Sequence, residues 1–420
     1  MSRQEGRSWL DRLAIRQRMR GEAVGSTSGP RAALPRGVWT LGFVSMFMDI
    51  SSEMIHGLLP TFLVVVLGAS AEMVGLIEGV GEATASMTKL FSGFVSDRFG
   101  KRKALALIGY GLAALSKPLF ALAPTAAWVL GARFIDRIGK GVRDAPRDAL
   151  VGDLTPSGLR GAAYGLRQSL DTIGAFSGPL LAIALMAMFN NDFRLVFWLA
   201  TIPGLAAVGV LAVGVREPVR PPVEMKAALG WVDLRRFGAS FWGVVAIGSV
   251  LTLARFSEAF LILRAGGAGL PAALSPLVLV VMNVVYAASA YPIGALSDRS
   301  DRRLMLAVGF AVLIVADLVL TAAPTLWAVL IGVGLWGLHM GMTQGLLAAL
   351  VADSAPSELR ASAFGLFNFA SGVELLFASL VAGFLWQRVG PEATFLAGAG
   401  FTAIGLLGSA RLLKPAGQSS

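Results

Sequence analysis

Asp49, Glu53 and His56 stand at i, i+4 and i+7 of the segment MDISSEMIH. A helix would bring them onto one face, within about 60° of arc. Two carboxylates and an imidazole so placed can take up, hold and pass a proton. Further charges recur at helical spacing: Glu78, Glu82 and Lys89; then Arg133, Asp136, Arg137, Lys140, Asp144 and Arg147 as one stripe; then Arg167 with Asp171. Arg255 with Glu258, the lone His339, and Glu374 follow in the second half of the chain. Other chemistries are poorly served. With no Cys, thiol catalysis, disulfides and Cys-ligated zinc are excluded. Two His (His56 and His339) leave almost nothing to build a His-ligated metal centre, so no metal and no cofactor is expected. No HExxH and no Walker lysine loop appears, and no nucleophile accompanies the acids of MDISSEMIH, which argues against an enzyme.

The elements that position these residues are apolar. Of 420 residues, 55% are hydrophobic and 15% charged, against about 25% charged in an ordinary soluble domain. A body this size with so little charge cannot cover its surface in water, so the lipid bilayer is its surrounding partner. Runs long enough to cross the hydrocarbon, about 20 residues, fall at 38–66, 71–96, 104–122, 126–146, 162–189 and 193–215. Six more fall at 238–264, 274–297, 304–322, 326–350, 362–387 and 393–412. The fold class is therefore all-α, with twelve transmembrane helices.

The net charge of +10 has a topological address. Basic residues in the N-terminal tail and in every second connection number 26, whereas the alternate connections hold three, Arg194, Arg264 and Arg388. Positive charge is retained inside, so both termini are expected in the cytoplasm. No folded module gathers the basic residues, which excludes a nucleic-acid partner. The expected organisation is a basic tail over 1–36, a first half over 37–215, a polar linker over 216–237, a second half over 238–412 and a tail over 413–420. The N-terminal tail has no apolar core of a cleavable signal. Trp39, Trp128, Trp198 and Trp386 sit near span ends, as interfacial anchors do.

The two halves repeat. GFVSDRFGKRK from Gly93 returns as GALSDRSDRRL from Gly294, matching Asp97 with Asp298 and Arg98 with Arg299. DLTPSGLRGAAYGL from Asp153 returns as DSAPSELRASAFGL from Asp353, pairing Arg160 with Arg360, and APT at 123–125 returns at 323–325. Two six-span copies joined on the inside have parallel topology, an arrangement common among secondary transporters. The loop GFVSDRFGKRK, with Gly93, Asp97, Arg98 and Arg102, resembles the signature of the major facilitator superfamily, and the resemblance spans all twelve helices. LGARFIDRIGKGVRDA resembles that family's span-4 pattern through Arg133, Gly139 and Gly141, with Asp136 and Arg137 replacing its usual Gln and Gly. Gly174, Gly178 and Pro179 resemble its antiporter signature, whose trailing glycines are here Leu181 and Ala182.

The resemblance implies a pseudo-two-fold axis along the membrane normal and a central cavity lined by spans 1, 4, 7 and 10. Asp49, Glu53, Arg133, Arg137, Arg255, Glu258 and His339 then become candidates for substrate or proton binding, with Glu53 the leading proton carrier. Gly93, Asp97, Arg98, Arg102, Asp153, Arg160, Gly294, Asp298, Arg299, Asp353 and Arg360 become a conformational latch and gate. Glu78, Glu82, Lys89, Asp136, Lys140, Arg167, Asp171 and Glu374 are further intramembrane charges, with structural ion pairing and transport as competing uses. The implied protein is a monomeric transporter of the bacterial inner membrane that moves a small molecule on the proton gradient. Outward antiport of a small polar or amphipathic solute and inward symport of an organic anion or zwitterion are both open, as is a membrane-embedded sensor or enzyme on the same scaffold. Asp317 is expected at the periphery or with a partner, and Trp336 against cavity or lipid.

Overall fold

The computed structural model describes residues 34–99, 101–217, 236–297, 300–356 and 359–412. They form twelve helical spans: α1 Arg36–Val66, α2 Ala71–Phe99, α3 Arg102–Ala121, α4 Ala126–Leu154, α5 Arg160–Met188 and α6 Phe193–Gly214. The second set is α7 Ala239–Gly267, α8 Leu277–Ser297, α9 Arg302–Ala322, α10 Leu326–Ser354, α11 Arg360–Arg388 and α12 Pro391–Leu412. Most of the N-terminal tail, the linker beyond Glu217, Asp298 and Arg299, and the C-terminal tail lie outside the described residues. For Asp97 and Arg98 only the backbone, within α2, is described.

The sequence repeats mark helix boundaries. In each APT, the threonine hydroxyl accepts the first free backbone N–H, Trp128 onto Thr125 and Ala328 onto Thr325, both at 3.3 Å. That is an N-cap, which starts α4 and α10 at equivalent points. After both helices a proline opens a tight turn, closed by Leu159 N–H to Pro156 O and Leu359 N–H to Pro356 O at 2.9 Å. Proline cannot continue the preceding helix, so the chain reverses there. α4 nevertheless runs through Pro146 to Leu154, eight residues past its expected end, and α10 runs four past. Polar charge in those last turns looks like a loop in sequence, but it projects from helix that continues beyond the apolar slab.

Nine of the described spans are long and apolar enough to cross a membrane on their own, and α2 and α4 are not among them. These two carry the densest charge and pack against each other. Lipid-facing positions are large and apolar, including Ile108, Leu115, Leu304 and Leu407. Leu41, Val44 and Met48 of the first half and Phe310, Leu313 and Phe395 of the second are fully buried. Two of the three basic residues at the far end, opposite the basic connections, close helix C-termini. Arg194 donates to Ala121 O and Ala123 O at 2.7 and 2.8 Å, and Arg264 to Leu320 O at 2.9 Å. They satisfy carbonyls that have no intrahelical donor.

The halves meet chiefly where α2 crosses α11. Without a hydrophobic drive inside lipid, such contacts depend on small residues that let backbones approach. Gly383 of α11 is one: an added Cβ would lie 2.7 Å from Ala71 O and 3.0 Å from Glu72 Cα. Beside it, Ala71 N–H donates to Gln387 Oε1 at 3.2 Å, and Arg388 Nε meets Glu72 Oε1 at 3.1 Å. Ser275 Oγ donates to Gly57 O at 3.1 Å, tying the α7–α8 connection to α1. Gly383→Leu is expected to wedge this far end open. Because the chain has no native Cys, Glu72→Cys with Arg388→Cys reports closure through a short bis-maleimide. Cross-linking should drop several-fold in the wedge variant; an unchanged yield would show that closure does not depend on this crossing.

Candidate functional site

Two helices are interrupted at mid-bundle, at equivalent points of the repeat. α1 breaks after His56, where Gly57 and Leu58 form a turn and Pro60 lacks the N–H that would bond His56 O. The chain then resumes through Leu59–Thr61 and a π-helical turn, Phe62–Val66. α7 breaks between Ala254 and Ala259, and Ser257 starts its second segment by accepting Ala259 N–H at 3.2 Å. The resumed segments of α1 and α7 pack together at the far end, with Leu58, Leu59 and Ala259 in one apolar cluster. The breaks themselves face each other across a cavity of about 250 Å³.

That cavity is lined by Glu53 and His56 of α1, Glu78 and Glu82 of α2, Arg137 and Lys140 of α4, and Arg255 to Glu258 of α7, with Trp336 and Leu375. A second cavity of about 480 Å³ shares Glu82, Lys140, Arg255 and Leu375 with it and extends toward the basic end, past Lys89 and Asp144. His56 bridges two acids: Nδ1 lies 3.4 Å from Glu53 Oε2, and Nε2 lies 3.7 Å from Glu78 Oε2. Glu78 also accepts Arg133 Nη2 at 2.8 Å. Glu53, His56, Glu78 and Arg133 thus form a continuous acid–imidazole–acid–guanidinium chain from the cavity wall into the α2–α4 interface. Arg137 Nη1 meets Glu82 Oε1 at 3.1 Å one turn further on.

Behind this wall the charges are compensated pairwise. Lys117 of α3, fully buried, donates to Asp136 Oδ1 at 2.7 Å and to Ser52 Oγ at 3.1 Å. Arg143 lies 4.0 Å from Asp49 and stands over the Tyr110 ring, and Arg147 donates to Ser45 Oγ at 2.9 Å. Asp148 is shared by Arg147 and Arg167, each at 3.0 Å, and Arg167 continues to Asp171 at 3.2 Å. The α5 glycines hold the α1 acids in place. An added Cβ would lie 2.9 Å from Asp49 Cβ at Gly174, and 2.8 Å from Glu53 Cβ at Gly178. Their spacing is required by the close α1–α5 approach.

Of the residues expected at a central cavity, Glu53, Arg137, Arg255 and Glu258 line it. Asp49 and Arg133 sit behind its wall. His339 does not reach it: fully buried, its Nδ1 lies 2.7 Å from Gly309 O and its ring packs against α9. Asp317 is not peripheral. It is fully buried and accepts Trp336 Nε1 at 3.0 Å, while Trp336 itself lines the cavity. Glu374 faces Ser249 on α7. Glu78, Glu82 and Lys140 also line the cavity, as does Ser257, which no charge or motif marks in the sequence, while Lys117 stands behind the wall on Asp136.

The latch residues are placed less uniformly. Arg102 Nη1 donates to Asp153 Oδ2 at 2.8 Å, and Lys103 Nζ to Ala212 O at 2.7 Å, both within the first half. Arg360 Nε donates to Ala352 O at 3.1 Å, bracing the α10–α11 turn, and Arg160 and Asp353 lie at the corresponding helix ends. At Gly93 an added Cβ would make only an ordinary 3.6 Å contact with Ala145, and at Gly294 it would meet open space. Tight helix packing therefore does not account for either glycine in this conformation.

A family model described as Major Facilitator Superfamily matches residues 41–373 and 261–419. An uncharacterized MFS-type transporter of Methanocaldococcus jannaschii is 31% identical over 373 residues, 87% of this chain and 92% of that protein. The inner membrane transport protein YajR of Escherichia coli is 24% identical over 403 residues, covering 92% of this chain and 85% of its own. Among solved structures, the nucleoside transporter NupG superposes with a TM-score of 0.75 at 12% identity, over 90% of this chain and 100% of that one.

Removing one member of a buried ion pair strands the other. Lys117→Met is expected to destabilise the protein by about 3–5 kcal/mol, because Asp136 loses its ammonium. Lys117→Met with Asp136→Asn should recover most of that loss, as a neutral pair needs no compensation. Thermal unfolding of the four proteins of this cycle in detergent measures the coupling. Additive losses would show that the pair is not a structural unit.

Proposed function

The chain belongs to the major facilitator superfamily, and on that premise we propose a proton-coupled transporter that moves a small polar or amphipathic solute outward by antiport, with alternating access to the cavity between α1 and α7. Membership makes it a multi-pass membrane protein whose substrates are small molecules. The basic end is assigned to the cytoplasm by the charge asymmetry of the connections, and a monomer in the inner membrane is the working unit. The first half over 37–215 and the second over 238–412 are the moving bodies, joined by the linker.

One observation carries the coupling: an acid–imidazole–acid chain at mid-bundle, Glu53–His56–Glu78, with Glu53 and His56 open to the cavity and Glu78 anchored by Arg133. A carboxylate whose surroundings alternate between water and a low-dielectric, cation-lined space changes its proton affinity with conformation. Glu53 takes that part, His56 relays to Glu78, and the Arg133 pair keeps Glu78 in register. Outward antiport rests on the Gly174, Gly178 and Pro179 pattern, which presses α5 against the two acid-bearing turns of α1.

In proteoliposomes, Glu53→Gln is expected to retain exchange of labelled solute across the membrane. It should lose accumulation against an imposed pH gradient, falling to the level reached without one. Accumulation equal to the parent's would remove Glu53 as the proton carrier. The solute for this assay comes from a thermal-shift screen of polar metabolites and drugs on the purified protein.

A further inference from the structure

The charges lining the joined cavities are not equally committed. Glu53 has His56, Glu78 has Arg133, Glu82 has Arg137, and Asp144 has Arg143 and Arg147, each within 4.0 Å. Lys89 of α2, Lys140 of α4 and Arg255 of α7 also line this space, and none has an ion pair within that distance among the described residues. Arg255 Nε is buried with no hydrogen-bond partner at all. Against these three cations stands one lining carboxylate outside any pair, Glu258. Arg133 and Arg137, the arginines that the sequence offers first, are already taken by Glu78 and Glu82 and do not provide free charge.

We propose that the occupant of this cavity is a small amphipathic organic anion, a carboxylate or phosphate ester, held jointly by Lys89 and Lys140 of the first half and Arg255 of the second. This rests on the transporter reading above and specifies its substrate. The guanidinium fork of Arg255 suits a two-oxygen anionic head, and the lysines supply mobile point charges. The opposite wall is mixed: Leu251, Leu347, Phe364 and Phe367 offer apolar surface to the body of such a molecule, and Thr252, Gln344, Asn368 and Ser371 stand beside them. An anion bridging the halves also cancels the repulsion that closing the basic end would create between Arg255 and the two lysines. That repulsion grows as water leaves the gap. Solute binding thereby permits closure.

The test uses the purified full-length chain and probes on one frame: phenylsuccinate, phenylbutyrate, phenylbutyramide, phenylbutylamine and the zwitterion phenylalanine. Titration calorimetry and thermal shift should rank phenylsuccinate above phenylbutyrate and both above the amide, with the amine weakest. Arg255→Gln and Lys140→Gln should each weaken phenylsuccinate binding by roughly tenfold or more, while Arg255→Lys and Lys140→Arg retain most of it. Unfolding of each variant without ligand verifies that it is folded. The proposal is overturned if the amine, amide or zwitterion binds as well as the anions. It is equally overturned if no anion binds, or if anion affinity is unchanged in both glutamine variants. Anion binding with this residue dependence but no exchange in proteoliposomes would retire transport through this cavity and leave the site. Exchange of a cation would do the reverse.

Discussion

Charge inside a membrane must be compensated where it stands, and the first half of this protein is organised around that requirement. An isolated charge at mid-bilayer costs at least about 2.5 kcal/mol on insertion scales. α2 brings Glu78 and Glu82 against Arg133 and Arg137 of α4, and neither helix is apolar enough to be a span alone. Packed together they become one, because Arg133 reaches Glu78 and Arg137 reaches Glu82. Lys117 from α3 neutralises Asp136, and Arg143 extends toward Asp49 on α1. These pairs determine helix register in a way that apolar packing does not, since a slip of one turn would leave a charge unpaired. The cavity inherits its polar wall from this ladder.

The second half solves the same packing problem differently. At the common offset of 200 residues, Lys117 and Asp136 correspond to Asp317 and Trp336, which are joined by an indole N–H donated to a carboxylate. The ion pair has become a neutral donor with a buried acid at the same place in the bundle. Gly174, pressed on Asp49, corresponds to Glu374, which faces Ser249. Arg133, Arg137 and Lys140 correspond to Val333, Gly337 and Met340. The duplicated framework, with its threonine caps, proline turns and interrupted first helices, is retained. The charge has been concentrated on one side of the cavity, and the opposing half contributes chiefly Arg255 and Glu258 at the α7 break.

Much of this frame is legible in the sequence because it depends on local rules. Span positions follow from apolar length, and helix starts at Ala126 and Leu326 follow from the capping threonines. Asp49, Glu53 and His56 share a face because 3.6-residue periodicity puts them there. Pairing is not local. That Arg133 belongs to Glu78, or that Lys117 lies on Asp136, depends on the α2–α4 and α3–α4 crossings. Arg133 and Arg137 therefore look in sequence like free cavity cations and turn out to be committed. The α1 break is announced by Gly57 and Pro60. The α7 break falls in TLARFSE, which contains neither glycine nor proline, so nothing local marks it. His339, a cavity candidate in sequence, is a core residue bonded to α9, because the burial of one imidazole depends on its tertiary neighbours.

The partition of charge also determines what can move. Each pair of the ladder lies within helices α1 to α5, so a displacement of the first half as a body would separate no buried acid from its base. Had such pairs crossed between halves, each would add a cost of about 3–5 kcal/mol to every cycle. The Arg388–Glu72 contact does cross, but it is largely exposed and so contributes at most about 1 kcal/mol. Closure at the far end is therefore left to the glycine-lined α2–α11 crossing and to the apolar meeting of the resumed α1 and α7 segments. Those surfaces can separate at moderate cost when other contacts form at the basic end. A tightly paired first half and a gap lined by Glu53, His56, Arg255 and Glu258 are two consequences of one arrangement. Compensation within the first half accounts for the ladder, and only a few charged groups are left facing the gap.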